Sequence, residues 1–127
     1  MIKLVISGQI KSGKNHMMIG RNGRHYPQAA WAQWRDGVVR QMRYQFLASM
    51  QKPFIDGHVF ATIEYWPGDK RRRDVPGMID ALWHCIERAG IVKDDSMIES
   101  LEWFTKGYDL ERPRVEICLI PNVHGLR

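Results

Sequence analysis

No stretch of this chain approaches the roughly 20 consecutive apolar residues that a membrane-spanning helix needs, so a bilayer is not its expected setting. The opening segment, Met1 to Gly8, is too short for a secretory leader and reads as a first strand, which places the protein in the cytoplasm as an expectation. Cysteine is scarce. Cys85 and Cys118 are far apart and lack the spacing of a zinc site, so they are read as small buried hydrophobes rather than a disulfide. Low-complexity tracts, linkers and internal repeats are also missing. Acid is in the minority: 14 Asp and Glu face 19 Lys and Arg, for a net charge of +5 and a pI near 9.5. That balance favours a polyanionic partner, although many basic proteins never meet nucleic acid.

What is present suffices for a core. Apolar residues make up 44% of 127 positions, which suits one domain over residues 1–127. Residues 2–7 are β-branched and apolar, a strand. Residues 8–28 are rich in glycine and basic side chains, and read as a long loop whose tip turns at Asn22-Gly23, a type I′ pair. Loops of that length usually grip something. From Gln28 to about Met50, Trp31, Trp34, Val38, Met42 and Phe46 recur at helical steps. His58 to Trp66 reads as a strand. A second helix is expected from Pro76 to Ala89, with Met78, Ile79, Leu82 and Ile86 buried and Gly90 ending it. Two further strands, near 97–105 and 114–120, are expected to pair antiparallel. The fold class is α+β: a mixed sheet of about four strands packed against two main helices.

The chemistry concentrates in residues 69–98. Lys70-Arg71-Arg72-Arg73 is a cationic run ending on Asp74, and Asp94-Asp95 follows the second helix. Carboxylates that hold a divalent cation, flanked by arginines that hold phosphate, are what phosphodiester hydrolysis needs. An aspartate at a helix start is equally a common cap, and spacing alone leaves both readings open. Lys14, Arg21 and Arg24 in the N-terminal loop are candidate phosphate contacts or solvated charges. Gly8 to Lys14 also spells GxxxxGK, but Asn15 stands where a P-loop carries Ser or Thr, so no nucleotide cofactor is expected.

The 69–98 block resembles the signature of RusA-type Holliday-junction resolvases. Arg71-Arg72-Arg73-Asp74 is similar to its beginning, and Ala89-Gly90-Ile91, Asp94-Asp95-Ser96 and Ile98 to its end. The resemblance implies a Mg²⁺-dependent endodeoxyribonuclease, with Mn²⁺ as a substitute, acting as a homodimer that nicks four-way DNA junctions symmetrically in recombination and repair. It implies Asp74 and Asp95 as metal ligands and Arg73 as a basic residue beside them, with Lys70, Arg71 and Arg72 among the DNA contacts. Pro76 stands where the family has a further aspartate, Gly77 where it has asparagine, and Asp80 where it has lysine. Asp80 lies one helical turn after Pro76 and leans back toward it, so it is a candidate third ligand; the plain alternative is an exposed acid paired with His84. Glu64 is a weaker candidate on the strand before the run. The competing function is a junction-binding protein that has lost cleavage with the missing carboxylate.

Overall fold

The computed structural model describes residues 1–12, 17–49 and 54–121, those at 17–19 and 25–27 by backbone alone. Its elements are β1 (Ile2–Ser7), β2 (Met17–Ile19), β3 (His25–Pro27), α1 (Ala29–Ser49), β4 (Val59–Trp66), α2 (Val75–Arg88), β5 (Ile98–Thr105) and β6 (Arg114–Pro121), with a short 3₁₀ turn at Asp95–Met97. A four-stranded mixed sheet in the order β1-β6-β4-β5 and two main helices make the α+β architecture.

Strand alternation divides the sheet into an apolar and a polar face. Ile2, Leu4 and Ile6, then Val59, Ala61, Ile63 and Tyr65, then Val115, Ile117 and Leu119 are all buried. They join Val38, Met42 and Phe46 of α1 and Met78, Leu82, Cys85 and Ile86 of α2 in one cluster. The other face is laced with charge: Lys3 and Arg114 each bridge to Glu116, and Glu64 to Lys106. Glu64 therefore lies on the polar face of the sheet. Both cysteines are free thiols; Cys85 is buried, and burial pushes its pKa up to about 12.

The last two strands do not pair with each other, contrary to the sequence expectation. β6 runs antiparallel between β1 and β4, while β5 runs parallel to β4 at the sheet's edge. The reason is α2. A parallel neighbour needs a long crossover connection, and residues 67–97, which contain α2, supply it. Two smaller differences have local causes. The tip between β2 and β3 is not a two-residue type I′ turn: Gly20 accepts from Gly23 N–H at 3.0 Å, and Gly23 takes a φ of 77° while Asn22 does not have a positive φ. Helix α2 starts at Val75, with Pro76 at the next position, because Asp74 is its N-cap. Pro76 still falls in the first turn, where its missing N–H has no helical partner to lose.

Strand β1 would be an exposed edge, but α1 covers it with two glutamines. Gln45 accepts from the Val5 N–H at 2.7 Å and donates to the Val5 carbonyl at 2.8 Å; Gln41 accepts from the Ser7 N–H at 3.0 Å. These side-chain amides take the place of a neighbouring strand. Replacing Gln45 by alanine is expected to cost about 1–3 kcal/mol in urea unfolding and to speed exchange of the Val5 amide. Unchanged exchange at Val5 would show that the edge is protected by other means.

Candidate active site

The site starts from main chain that aromatic side chains pin. Trp34 Nε1 donates to the Gln9 carbonyl at 2.9 Å, Trp31 Nε1 to the Lys11 carbonyl at 3.0 Å, and the Ile10 N–H donates to the Tyr65 hydroxyl at 3.1 Å. Both tryptophans, read from the sequence as core, thus also position a loop. Ser12, at the end of that segment, is carried to the N-terminus of α2.

There Asp74 caps the helix, its Oδ1 accepting from the Gly77 N–H at 3.3 Å. Negative charge at this end also complements the helix dipole. A side chain at position 77 would collide with the Asp74 carboxylate and the Ser12 hydroxyl, so glycine is required there by close approach. Ser12, Trp31, Asp74, Pro76, Gly77, Asp80, Ala81 and His84 line a cleft of about 410 Å³. Asp74 and Asp80 share it.

Asp95 follows α2 in the chain and sits against its last turns. Its backbone N–H donates to Glu87 Oε1 at 3.0 Å, and Asp94 caps the 3₁₀ turn by accepting from the Ser96 N–H at 2.9 Å. Glu87, Asp94 and Asp95 bring carboxylate oxygens within 4.8 Å of one another. An all-oxygen set of this kind could hold a hard divalent cation. Glu87 was not singled out in the sequence, yet it lies seven residues after Asp80, a spacing that shares a helix face. Asp95 is held above the usual carboxylate range by desolvation first, then by its hydrogen bond with Asp94 and the charges of Glu87, Asp94 and Asp80. Asp94 is held low by the Ser96 N–H. Asp80 is thus the acid that lines the cleft and whose charge also reaches Asp95. Between the two acidic ends is His84, whose pKa is lowered by partial burial and by the Arg35 and Arg88 charges.

The basic run divides in two. Lys70, Arg71 and Arg72 are exposed, Lys70 resting 4.8 Å from the centre of the Tyr108 ring. Arg73 instead turns inward, 16% exposed, to the Asp69 carboxylate, the Asp69 and Arg71 carbonyls and, at 3.2 Å, Gln9 Oε1. It ties the run to the pinned loop. Arg21 and Arg24 are exposed at the tip between β2 and β3, and Lys14 lies outside the described residues.

Two outcomes follow from this geometry. Gly77→Ala should destabilise the fold by about 1–3 kcal/mol in urea unfolding, since the added carbon forces its neighbours apart; an unchanged midpoint would mean that Asp74 and Ser12 can withdraw at no cost. Glu87→Gln removes a negative neighbour, so the Asp95 pKa should fall when followed by carboxyl NMR in metal-free protein. Asp80→Asn should lower it less. An Asp95 titration unmoved by Glu87→Gln would remove Glu87 from the cluster.

No family model matches the chain. Over 97 residues it is 25% identical to the crossover junction endodeoxyribonuclease RusA of Aquifex aeolicus (strain VF5), a match that covers 76% of this chain and 74% of that protein.

Proposed function

We propose that this chain is a metal-dependent endodeoxyribonuclease that resolves four-way DNA junctions by symmetric nicking, in recombination and repair. The observation that carries this reading is the placement of Asp74 and Asp80 in one cleft, directly after the exposed run Lys70, Arg71 and Arg72. The similarity to a RusA crossover junction endodeoxyribonuclease supports it independently.

In this reading the exposed cations, with Lys14, Arg21 and Arg24, hold the phosphate backbone and add sequence-independent affinity. Asp74, Asp80 and Asp95, with Glu87 and Asp94 beside the last, are the carboxylates available to a divalent cation. Mg²⁺ or Mn²⁺ bound to them supplies water activation and offsets charge on the phosphate. Arg73 positions the run by fixing its turn rather than by reaching outward. A homodimer presents one such site to each of two strands of a twofold junction. The expected compartment is the cytoplasm.

A second reading, junction binding without cleavage, is favoured by one observation. Asp95 is not among the residues that line the cleft with Asp74 and Asp80, and Pro76 occupies the position where the resemblance puts another carboxylate.

Nicking of a labelled four-way junction with Mg²⁺ or Mn²⁺ separates the two. The wild-type protein should introduce paired symmetric nicks. Asp74→Asn should slow them on the order of a hundredfold, about 3 kcal/mol of barrier, with binding retained. Asp80→Asn should slow them and raise the metal concentration required. Tight binding with no nick under either metal would leave the binding-only reading, and binding no tighter than to linear duplex would end both.

A further inference from the structure

The connection between β5 and β6 carries exposed apolar side chains on a backbone that is held in place. Tyr108 is 50% exposed and Leu110 75%. One exposed leucine means little by itself, and a slack loop would tuck it away. This loop is fastened. The Lys106 N–H donates to the Tyr65 carbonyl at 2.8 Å, the Asp109 N–H to the Pro67 carbonyl at 2.7 Å, and the Gly8 N–H to the Pro113 carbonyl at 2.9 Å. The Asp109 carboxylate accepts from the Arg112 N–H at 3.0 Å and from Arg114 Nη1 at 3.2 Å. Pro67 begins the turn that launches the basic run, so the loop stands beside that run. Lys70, the first cation of the run, rests 4.8 Å from the centre of the Tyr108 ring.

Charge and apolar surface together select the partner. Asp69 is held by Arg73 and Asp109 by Arg114. That leaves Glu111 as the exposed acid against exposed Lys70, Arg71, Arg72 and Arg112. A second copy presenting the same surface would bring like charges together, whereas a polyanion suits it. Linear duplex offers phosphate to the cations but nothing apolar to Leu110, since its bases are paired and stacked. A branch point offers both: phosphates, and the face of a base pair where the stack is interrupted.

We propose that Leu110 is a wedge for the branch point of DNA: it lies against an interrupted base stack, while Tyr108 holds Lys70 toward the adjoining phosphate. This rests on the DNA-directed reading above and adds to it an element, outside the acidic cleft, that tells branched from linear DNA. Cations alone grip any duplex, because phosphate contacts carry no information about shape or sequence. Apolar side chains that enter a base stack pay for unstacking with added contact. At a branch that cost is smallest, since the bases there are already partly unpaired. A fastened loop suits the task, because a rigid side chain loses little freedom on insertion.

The test compares binding to a four-way junction and to linear duplex of the same sequence, for the wild-type protein, Leu110→Ser and Leu110→Phe. Divalent cations are left out, so that no strand is cut. Leu110 is outside the core, so both variants are expected to fold. Leu110→Ser should lose on the order of tenfold on the junction and nothing on duplex, and Leu110→Phe should keep the wild-type preference. A fluorescent adenine analogue beside the branch should brighten on binding wild type and stay dim with Leu110→Ser. A wild-type protein that prefers the junction, with a Leu110→Ser variant that prefers it equally, overturns the wedge and leaves the DNA reading standing. Equal losses on junction and duplex do the same. A lower solution mass for Leu110→Ser in light scattering would put Leu110 against a second copy and likewise overturn the wedge. A wild-type protein without preference for the junction removes the DNA reading, and the wedge falls with it.

Discussion

Indole and phenol groups that reach the backbone of Gln9, Ile10 and Lys11 are the constraint on which the site depends. Because Trp31 and Trp34 come from α1 and Tyr65 from β4, three parts of the fold converge on one short segment. Backbone that leaves a strand needs partners for its N–H and C=O groups, and here rigid side chains provide three of them. Rigid partners fix position as well as satisfying bonds. Ser12 then meets Asp74 across the bare Cα of Gly77, and Gln9 meets Arg73, so one loop sets both the helix start and the direction of the basic run.

Helix α2 works as a ruler for charge. Asp74 at its cap, Asp80 nearly two turns later, His84 one turn after that and Glu87 near its end succeed one another along its length. The exposed run Lys70, Arg71 and Arg72 lies before the helix, and Arg73, next to Asp74, is turned inward by Asp69. A polyanion can thus be gripped outside the acidic surface without the two signs cancelling. Among these acids Asp95 has its pKa raised, by desolvation first and then by its acidic neighbours.

The helices were legible because their stripes are regular. Trp31, Val38, Met42 and Phe46 are the buried residues of α1, and Met78, Leu82 and Ile86 are among those of α2. Strand order was not legible from local pattern. β5 and β6 each read as strands, but which neighbour each takes depends on a crossover through α2 that alternation does not encode. The site was legible only in part for a related reason. Asp74 stands out as the end of the basic run and Asp80 follows from helical spacing, whereas Ser12 and Trp31 arrive from distant segments through tertiary contacts. Glu87 carried a usable signal, since it falls seven residues after Asp80 on the face that also holds His84.

The amides of Gln41 and Gln45 have a consequence for self-association. Two edges would let copies of a sheet add end to end without limit, the geometry from which fibres grow. With β1 occupied by α1, β5 is the four-stranded sheet's remaining free border among the described residues. Head-to-tail stacking then has no complementary end to continue from. Main-chain pairing of this four-stranded sheet between copies then joins β5 to β5, and it stops at two.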